Sequence, residues 1–580
     1  MWDHGIDCTF SEQVVHPTPN GELGGPLLAS IAATTSWLTI GATALYYLFR
    51  LNPSRDASND GGLGANSVDV TVSRLGTHLS GWPVLRRLHG KSGWQTASAR
   101  SILILCDIQS LVGLSLLLSI FLVLPKSISA YHFMLVVQTA WFTHVAQLVT
   151  LSLLRHTKPS FVAKWTRIIV IGAFTGLLIR LSVPTIFFGW AYFPNFPWDS
   201  PNFNSLHDFP GGTSGLPGTA AICFFDVPRS LRWHYENGNN AWTFTDTPAY
   251  GSGVISLAFV VSNLAFRLLR LQGWLDLPVR AARQFVSKSW KSVFASAAEQ
   301  ESRKSRAAAH IGLATLLTAR LLSDLVVSVA TDFFWLVVPC VWGTVALTRT
   351  RSSARVQDSN WTPSQVLPVL LLAGAVLFLL GAFLLRDTPT TLPLAEPSNS
   401  QPYTDNPSSS SGAQHSGAQQ PNPVLLREST PIFDRDYSDP DTAPWISPAV
   451  ALPCLTTVFF TACFFRLWYY VVPNAASLVV RFLVAFLVGI PTSVFFFILL
   501  CLAYQGVVSS EAGSKVYWRL MALVFAGSGG LHSLYFAFRA WPVLRVLDIV
   551  LLSLGGAVVL LNLIAVVVAG LSRRRGVLAI

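Results

Sequence analysis

The sequence predicts an all-α, polytopic transmembrane helix bundle of about eleven spans, and three observations carry that prediction. Of its 580 residues, 51% are hydrophobic and only 12% charged, with a mean hydropathy of +0.48; soluble domains carry roughly twice that share of charge. Several apolar stretches exceed the roughly 20 residues that a bilayer-spanning helix needs. These runs are continuous and lack the period-two alternation of a membrane β-barrel. The expected location is a membrane, crossed many times, either plasma membrane or endomembrane.

Segment 1–25 has no Lys or Arg and contains Asp3, Asp7, Glu12 and Glu22. It lacks the basic start of a cleavable signal peptide, and the first basic residue, Arg50, follows the first apolar run. The N-terminus is therefore expected outside, with the first helix acting as its own insertion signal. Spans are expected at 26–49, 101–124, 131–154, 168–191, 250–270, 324–348 and 362–385. Together they make a seven-span bundle over 26–385, with an outer loop 192–249 and a basic inner loop 271–307. Segment 386–447 is rich in Pro, Ser, Gln and Asn, a composition expected to stay disordered as a linker. A four-span block over 448–571 follows, with spans at 448–471, 477–504, 517–538 and 543–570, and a basic tail 572–580 ends the chain inside.

Charge orients the loops. Segment 155–167 carries Arg155, Lys158, Lys164 and Arg167 without an acid, and 271–307 carries Arg280, Arg283, Lys288, Lys291, Arg303, Lys304 and Arg306. Both belong inside by the positive-inside rule. The net charge of +11 has the same origin, and no nucleic-acid partner is expected, because no basic and aromatic groove pattern accompanies it. The lipid bilayer is the expected partner. Basic residues interleaved with Val, Phe and Trp over 280–306 suit anionic inner-leaflet lipids, or equally a cytoplasmic extension of the next helix. The aromatic outer loop 192–249 reads as an interfacial belt or folded cap in preference to a lid.

One region strains the topology. Eleven spans leave the basic segment 349–360 outside; a twelfth, made by splitting 309–348, would repair that but send Arg573 to Arg575 outside. Arg320 and Asp324 argue against 309–324 as an independent span. Asn360 heads an N-glycosylation sequon in the disputed segment. Of the seven cysteines, Cys8 and Cys223 lie in polar outer segments, where a Cys8–Cys223 disulfide is a candidate. No metal-ligand spacing is found among cysteines and histidines.

Polar residues inside apolar runs are the candidates for function. On the third span His144 and Gln147 lie roughly 60° apart and share a face. Counting roughly 1.5 Å per residue from the inner ends puts Asp107, Gln147, His144, Asn263 and Asp332 near one level, with Arg180 slightly deeper. A polar layer drawn from five helices is expected, with Asp107–Arg180 as its ion pair. Gln109, about 200° from Asp107, needs a partner elsewhere. Pro184, Pro339, Pro368, Pro453 and Pro491 mark expected irregularities in the helices. GxSxG, HExxH and P-loop motifs are absent, so enzymatic activity is not favoured and no cofactor is implied.

The stretches "CDIQSLVGLSLL", "YHFMLVVQTAWFTHVAQLVTLSLLR" and "NWTPSQVLPVLLL" carry a resemblance. Their Asp107, Gln109, Tyr131, His132, Trp141, Phe142, His144, Arg155, Trp361 and Gln365 match the pattern of a fungal multi-pass integral membrane protein family with an Asp-x-Gln transmembrane motif. The chain resembles that family over residues 26–385 and not clearly over the last four spans. The resemblance implies a fold and a fungal source, and no activity. The functional expectation is a sensor- or receptor-like or transport role built on the polar layer. The alternative is a structural or scaffolding protein whose buried polar residues only hold helices together.

Overall fold

The structure, a computed structural model, describes residues 26–50, 66–79, 92–123, 128–157, 160–188, 191, 220–225, 248–274, 277, 279, 281, 303–354, 445–470, 482–483, 485–505, 513–537 and 558. Among the described residues the long elements are all α-helices, in the order α1 (Pro26–Arg50), α2 (Ser67–Leu79), α3 (Ser92–Val123), α4 (Ala130–Thr157), α5 (Phe161–Ser182), α6 (Pro248–Leu271), α7 (Arg303–Val327), α8 (Val329–Ala354), α9 (Ile446–Tyr470), α10 (Ile490–Gln505) and α11 (Gly513–Ala537). One-turn 3₁₀ segments occupy Val183–Phe187 and Ala221–Phe224, and a π-turn, Ala485–Gly489, leads into α10.

Eight segments among the described residues, lying in α3 to α10, are long and apolar enough to cross a membrane. The expected spans at 26–49 and 517–538 appear as helices α1 and α11. The span at 362–385, that at 543–570 save for Val558, and Asn360 and Cys8 fall outside the described residues. The sixth expected span, 324–348, needs correction. Helix continues upstream to Arg303, and the break falls at Ser328, dividing α7 from α8. Residues 310–327, set aside as a span because of Arg320 and Asp324, are one of the eight candidates. Asp324 is buried, and the side chains packed around it reduce the penalty that lipid would impose.

Helix α4 is the axis of the first group of helices. It packs against α1, α3, α5, α6 and α8, and its 130–155 stretch is buried throughout. That explains its composition: Gln138, Thr139, Thr143, His144, Gln147, Thr150 and Ser152 are all buried, on every side of the helix. A helix with no lipid-facing side needs no apolar stripe, and small or polar side chains suit helix contacts in a bilayer, where apolar burial drives little association.

Contacts along α4 fix the direction of its neighbours. Ser36 of α1 donates to the Phe142 carbonyl, Trp141 Nε1 donates to the Pro339 carbonyl of α8 at 2.7 Å, and Gln138 Nε2 donates to Thr350 Oγ1 at 2.7 Å. Near the start of α1, Arg351 approaches Ser30 at 3.4 Å. Arg349 and Arg351 therefore lie at the end of the bundle where α1 and α4 begin, opposite Arg155, Arg167 and Arg270. That end is closed by part of the 192–249 loop. The Ala221 N–H donates to the Ile128 carbonyl at 2.8 Å, and Phe133, Phe188, Phe224 and Phe225 meet edge to face, the favoured geometry for aromatic quadrupoles. Cys223 of this cap is disulfide-bonded, whereas Cys106, Cys340, Cys454 and Cys501 are free.

Two hydrophobic cores result. The first gathers α1, α3, α4, α5, α6, α8 and the aromatic cap, and Phe464 and Phe465 of α9 reach it. The second gathers α7, α9, α10 and α11, and takes in Val68 of α2. Trp342 of α8 also joins the two, donating to Ser256 of α6 while its ring meets Phe464 and Phe465.

Close packing on α4 depends on glycine at two positions. A Cβ at Gly343 would lie 2.5 Å from the Trp141 ring, and one at Gly113 would lie 2.4 Å from Thr143. Gly343→Ala and Gly113→Ala are each expected to lower stability by about 1–3 kcal/mol, the usual size of overpacking. Gly41 and Gly172 have open space around the same atom, so Gly41→Ala and Gly172→Ala should leave the melting temperature of the detergent-solubilised protein within error of wild type. Equal losses at all four would refute this packing.

Candidate functional site

The break at Ser328 contains no Pro or Gly: the sequence from 325 to 331 reads Leu-Val-Val-Ser-Val-Ala-Thr. An interrupted helix leaves carbonyls at the end of one piece and N–H groups at the start of the next without partners. Here other side chains take up several of them. Arg270 of α6 donates from Nη2 to the Val327 carbonyl and from Nη1 to the Ser328 carbonyl at 3.3 Å. Asn66 Nδ2 donates to the Asp324 carbonyl at 2.8 Å. The Leu325 carbonyl accepts from the Ser328 N–H and hydroxyl and from the Thr331 hydroxyl. At the start of α8, Asp69 Oδ1 accepts the Val329 N–H at 3.0 Å, and Ser328 Oγ accepts the Thr331 N–H at 3.2 Å. Ser328 thus acts as an N-cap, and Asp69 places a carboxylate at the positive end of α8.

Beneath the break lies a buried ion cluster. Arg270 Nη1 is 2.5 Å from Asp332 Oδ1, and Arg267 Nη1 is 3.9 Å from the same oxygen, with all three side chains at most 5% exposed. Arg267 also donates to the Asp332 carbonyl at 2.9 Å and to the Ser152 hydroxyl of α4. Arg270 stacks over the Phe266 ring at 5.6 Å. One carboxylate therefore holds two guanidiniums, and Asp69 supplies a second negative charge nearby. The site draws on α2, α4, α6, α7 and α8.

The expected polar layer is not one site. Asp107 pairs with Arg167, not Arg180: Arg167 Nε and Nη2 bind its two oxygens at 3.1 and 2.7 Å. The reason is where α5 starts. It begins at Phe161, capped by Ser160, instead of near 168, so Arg167 is a helical residue at the level of Asp107. The pair is 27% and 41% exposed, which makes it a bidentate bridge of modest stabilising effect. Arg180 is exposed and sits 6.0 Å over the Phe225 ring at the opposite end. Asn263 is buried and donates to the Phe259 carbonyl of its own helix. Gln109 is buried, with Oε1 unpartnered.

His144 and Gln147 do share a buried face. Thr175 Oγ1 lies 3.5 Å from His144 Nδ1, and the Gln147 side chain and the Val260 backbone also approach the imidazole. Of the seven candidates, only Asp332 belongs to the ion cluster. The residues that complete it, Arg267, Arg270, Asp69, Asn66 and Ser328, had a faint signal in the sequence. Arg267 and Arg270 are spaced three apart at the end of an apolar run, and Asp324, Ser328 and Asp332 recur every four residues, the spacing of one helix face.

Comparison of the chain with known protein families, with curated proteins and with solved structures finds no match. The site stands on its own geometry.

Two outcomes follow from the charge count. Asp332→Asn leaves two buried guanidiniums without their shared partner and should cost about 3–5 kcal/mol. Arg267→Met leaves Asp332 paired with Arg270 and should cost clearly less. Thermal unfolding of the two purified variants decides it, and equal losses would contradict the cluster as described.

Asp69 gives a pH signature. Burial pushes its carboxyl up to about 6 and Asp332 adds to the rise, while the Val329 N–H, Arg270 and Arg155 pull it down. Its folded value exceeds its unfolded one, so its favourable contribution is complete below about 4. That contribution is lost as the pH rises through about 6. The melting temperature of Asp69→Asn should therefore fall less than that of wild type between pH 4 and pH 7. Parallel profiles would show that Asp69 does not titrate in this environment.

Proposed function

We propose that this protein is a multi-pass membrane protein with a sensor-like role, in which the break at Ser328 couples the two groups of helices. The observation that carries the reading is that a fully buried ion cluster, Arg267–Asp332–Arg270, sits where the helix passes from one core to the other. Ionisable groups inside a membrane bundle are expensive, and they are usually kept for relays, ion paths or switches. This cluster joins α6 to both pieces of the broken helix, so a shift in the first core reaches the second through it. The cap at the far end supplies an input surface, with Cys223 closing onto Cys8 in the outer compartment. In this reading the N-terminus lies outside, 280–306 rests on anionic inner-leaflet lipid, and Asn360 lies on the outer side. The kinship implied by the Asp-x-Gln stretch is to fungal membrane proteins.

A transport role is the second reading, favoured by the buried polar pair His144 and Gln147 deep in the bundle. Broken helices with charged partners also build ion sites in transporters. The structural alternative takes the ion cluster as a fastening and nothing more.

Hydrogen exchange and flux measurements on the reconstituted protein separate the three. Cys223→Ser loosens the cap. If the cluster couples the cores, this variant should change amide exchange in α9 and α10 at least several-fold in wild type, and not in an Arg267→Met/Arg270→Met/Asp332→Leu background. Proteoliposomes should show no proton or cation flux that depends on Asp332. Flux abolished by Asp332→Asn would favour transport, and unchanged exchange with no flux would leave the structural role.

A further inference from the structure

We infer that α7 does not cross the bilayer, although its 310–327 stretch is long and apolar enough to do so, and that it stands on the inner side, where Arg155, Arg167 and Arg270 lie. This deepens the sensor-like reading and rests on it only for the use to which the placement is put.

The directions of α6 and α8 carry the inference. Arg270, at the end of α6, binds the Ser328 carbonyl and the Asp332 carboxylate at the start of α8. Further along α8, Trp342 Nε1 donates at 2.8 Å to Ser256 Oγ, further back along α6, and its ring meets Phe259. The two helices therefore run antiparallel, and the chain leaves α6 and enters α8 on the same side. Segment 272–328 must then cross the bilayer an even number of times. If α7 crosses, residues 272–302 must cross as well. They hold Asp276, Arg280, Arg283, Lys288, Lys291, Glu299 and Glu301, and their longest stretch free of charge, 292–298, is seven residues. A span needs roughly 20 apolar residues. Composition bars 272–302 from crossing, so α7 does not cross either.

Charge agrees. A crossing α7 would begin outside with Arg303, Lys304 and Arg306, against the positive-inside rule. It would also carry Arg320 and Asp324 through hydrocarbon, where ionisable groups are costly. Its apolar surface has another use. Ala314, Leu317 and Leu321 are buried in the second core, and Leu317 and Leu321 border a small cavity with Trp445 of α9 and Ile498 of α10. A helix that is apolar on most sides is either a span or a core element, and these partners make α7 the second.

Ser328 thus stands where helix outside the bilayer meets helix within it. In the sensor-like reading this gives the coupling a direction. The first core lies in the bilayer, and the helix whose end Arg270 holds, at the Val327 carbonyl, has its other end in the inner compartment.

Sidedness of single thiols tests this in the full-length protein with Cys454→Ala and Cys463→Ala; Cys106, Cys340 and Cys501 are buried. Ala307→Cys reports the start of α7, Phe161→Cys the start of α5 and Ser352→Cys the far end of α8, all at exposed positions. A membrane-impermeant maleimide is applied to right-side-out and inside-out vesicles, and adducts are located by peptide mass spectrometry. Ala307→Cys is expected to label from the side that labels Phe161→Cys, and several-fold less from the side that labels Ser352→Cys. Ala307→Cys labelled together with Ser352→Cys would overturn the inference, as would Phe161→Cys and Ser352→Cys labelled from one side. Should Ala307→Cys not fold, Lys304→Cys carries the same expectation. The expected sidedness, with exchange in α9 and α10 unchanged by Cys223→Ser, would keep α7 where it is placed and reject the sensor-like reading.

Discussion

The structure hinges on one guanidinium. Arg270 binds the Asp332 carboxylate, the carbonyl left free at Val327 and the Ser328 carbonyl, which also accepts from the Asp332 N–H. A planar fork of five donors can serve a carboxylate and two carbonyls together, which an ammonium on a flexible stem does less well. Without it the end of α7 would face an apolar interior with open acceptors, and the single carboxylate would have to be held by Arg267 from 3.9 Å. This contact holds the end of α7, which belongs to the second core, and the start of α8, which belongs to the first.

The same requirement explains why α4 can be polar. In a bilayer, packing and interhelical hydrogen bonds bring helices together more than apolar burial does. A helix ringed by α1, α3, α5, α6 and α8 is free to carry Gln138, Trp141 and Ser152 as contacts to its neighbours. Each contact specifies a register, and small residues such as Gly113 and Gly343 let the backbones approach closely enough to make it. Polar groups here encode which helices meet and at what height.

Much of this was legible in the sequence. The all-helical membrane class, the pairing of α3 with α4 and the shared face of His144 and Gln147 come from apolar run length, a short connection and helical spacing. The ion pairs were not legible, and Asp107 shows why. Its partner depends on the register between two helices, and α5 begins about two turns earlier than the apolar run alone indicates, because Lys164 and Arg167 lie inside the helix. Hydropathy finds where lipid-compatible sequence begins, whereas helix begins at its cap, Ser160. The same distinction misplaced the start of the broken helix, where Arg320 and Asp324 lie within α7 instead of marking its end.

Proline was an equally incomplete guide. Pro339 and Pro453 sit inside α8 and α9 without ending them, and Pro184 opens a 3₁₀ turn that finishes α5. The break that divides the molecule lies at Ser328, in a stretch with no breaker. A proline interrupts a helix through its own ring and missing N–H, so its effect is fixed by the chain itself. The interruption at Ser328 draws on Arg270, Asn66 and Asp69, distant in sequence, as well as on the local hydroxyls of Ser328 and Thr331. The distant part of that support is invisible to a reading of local sequence. For a protein whose cores meet at that point, this dependence on distant groups is what makes the site a candidate for coupling.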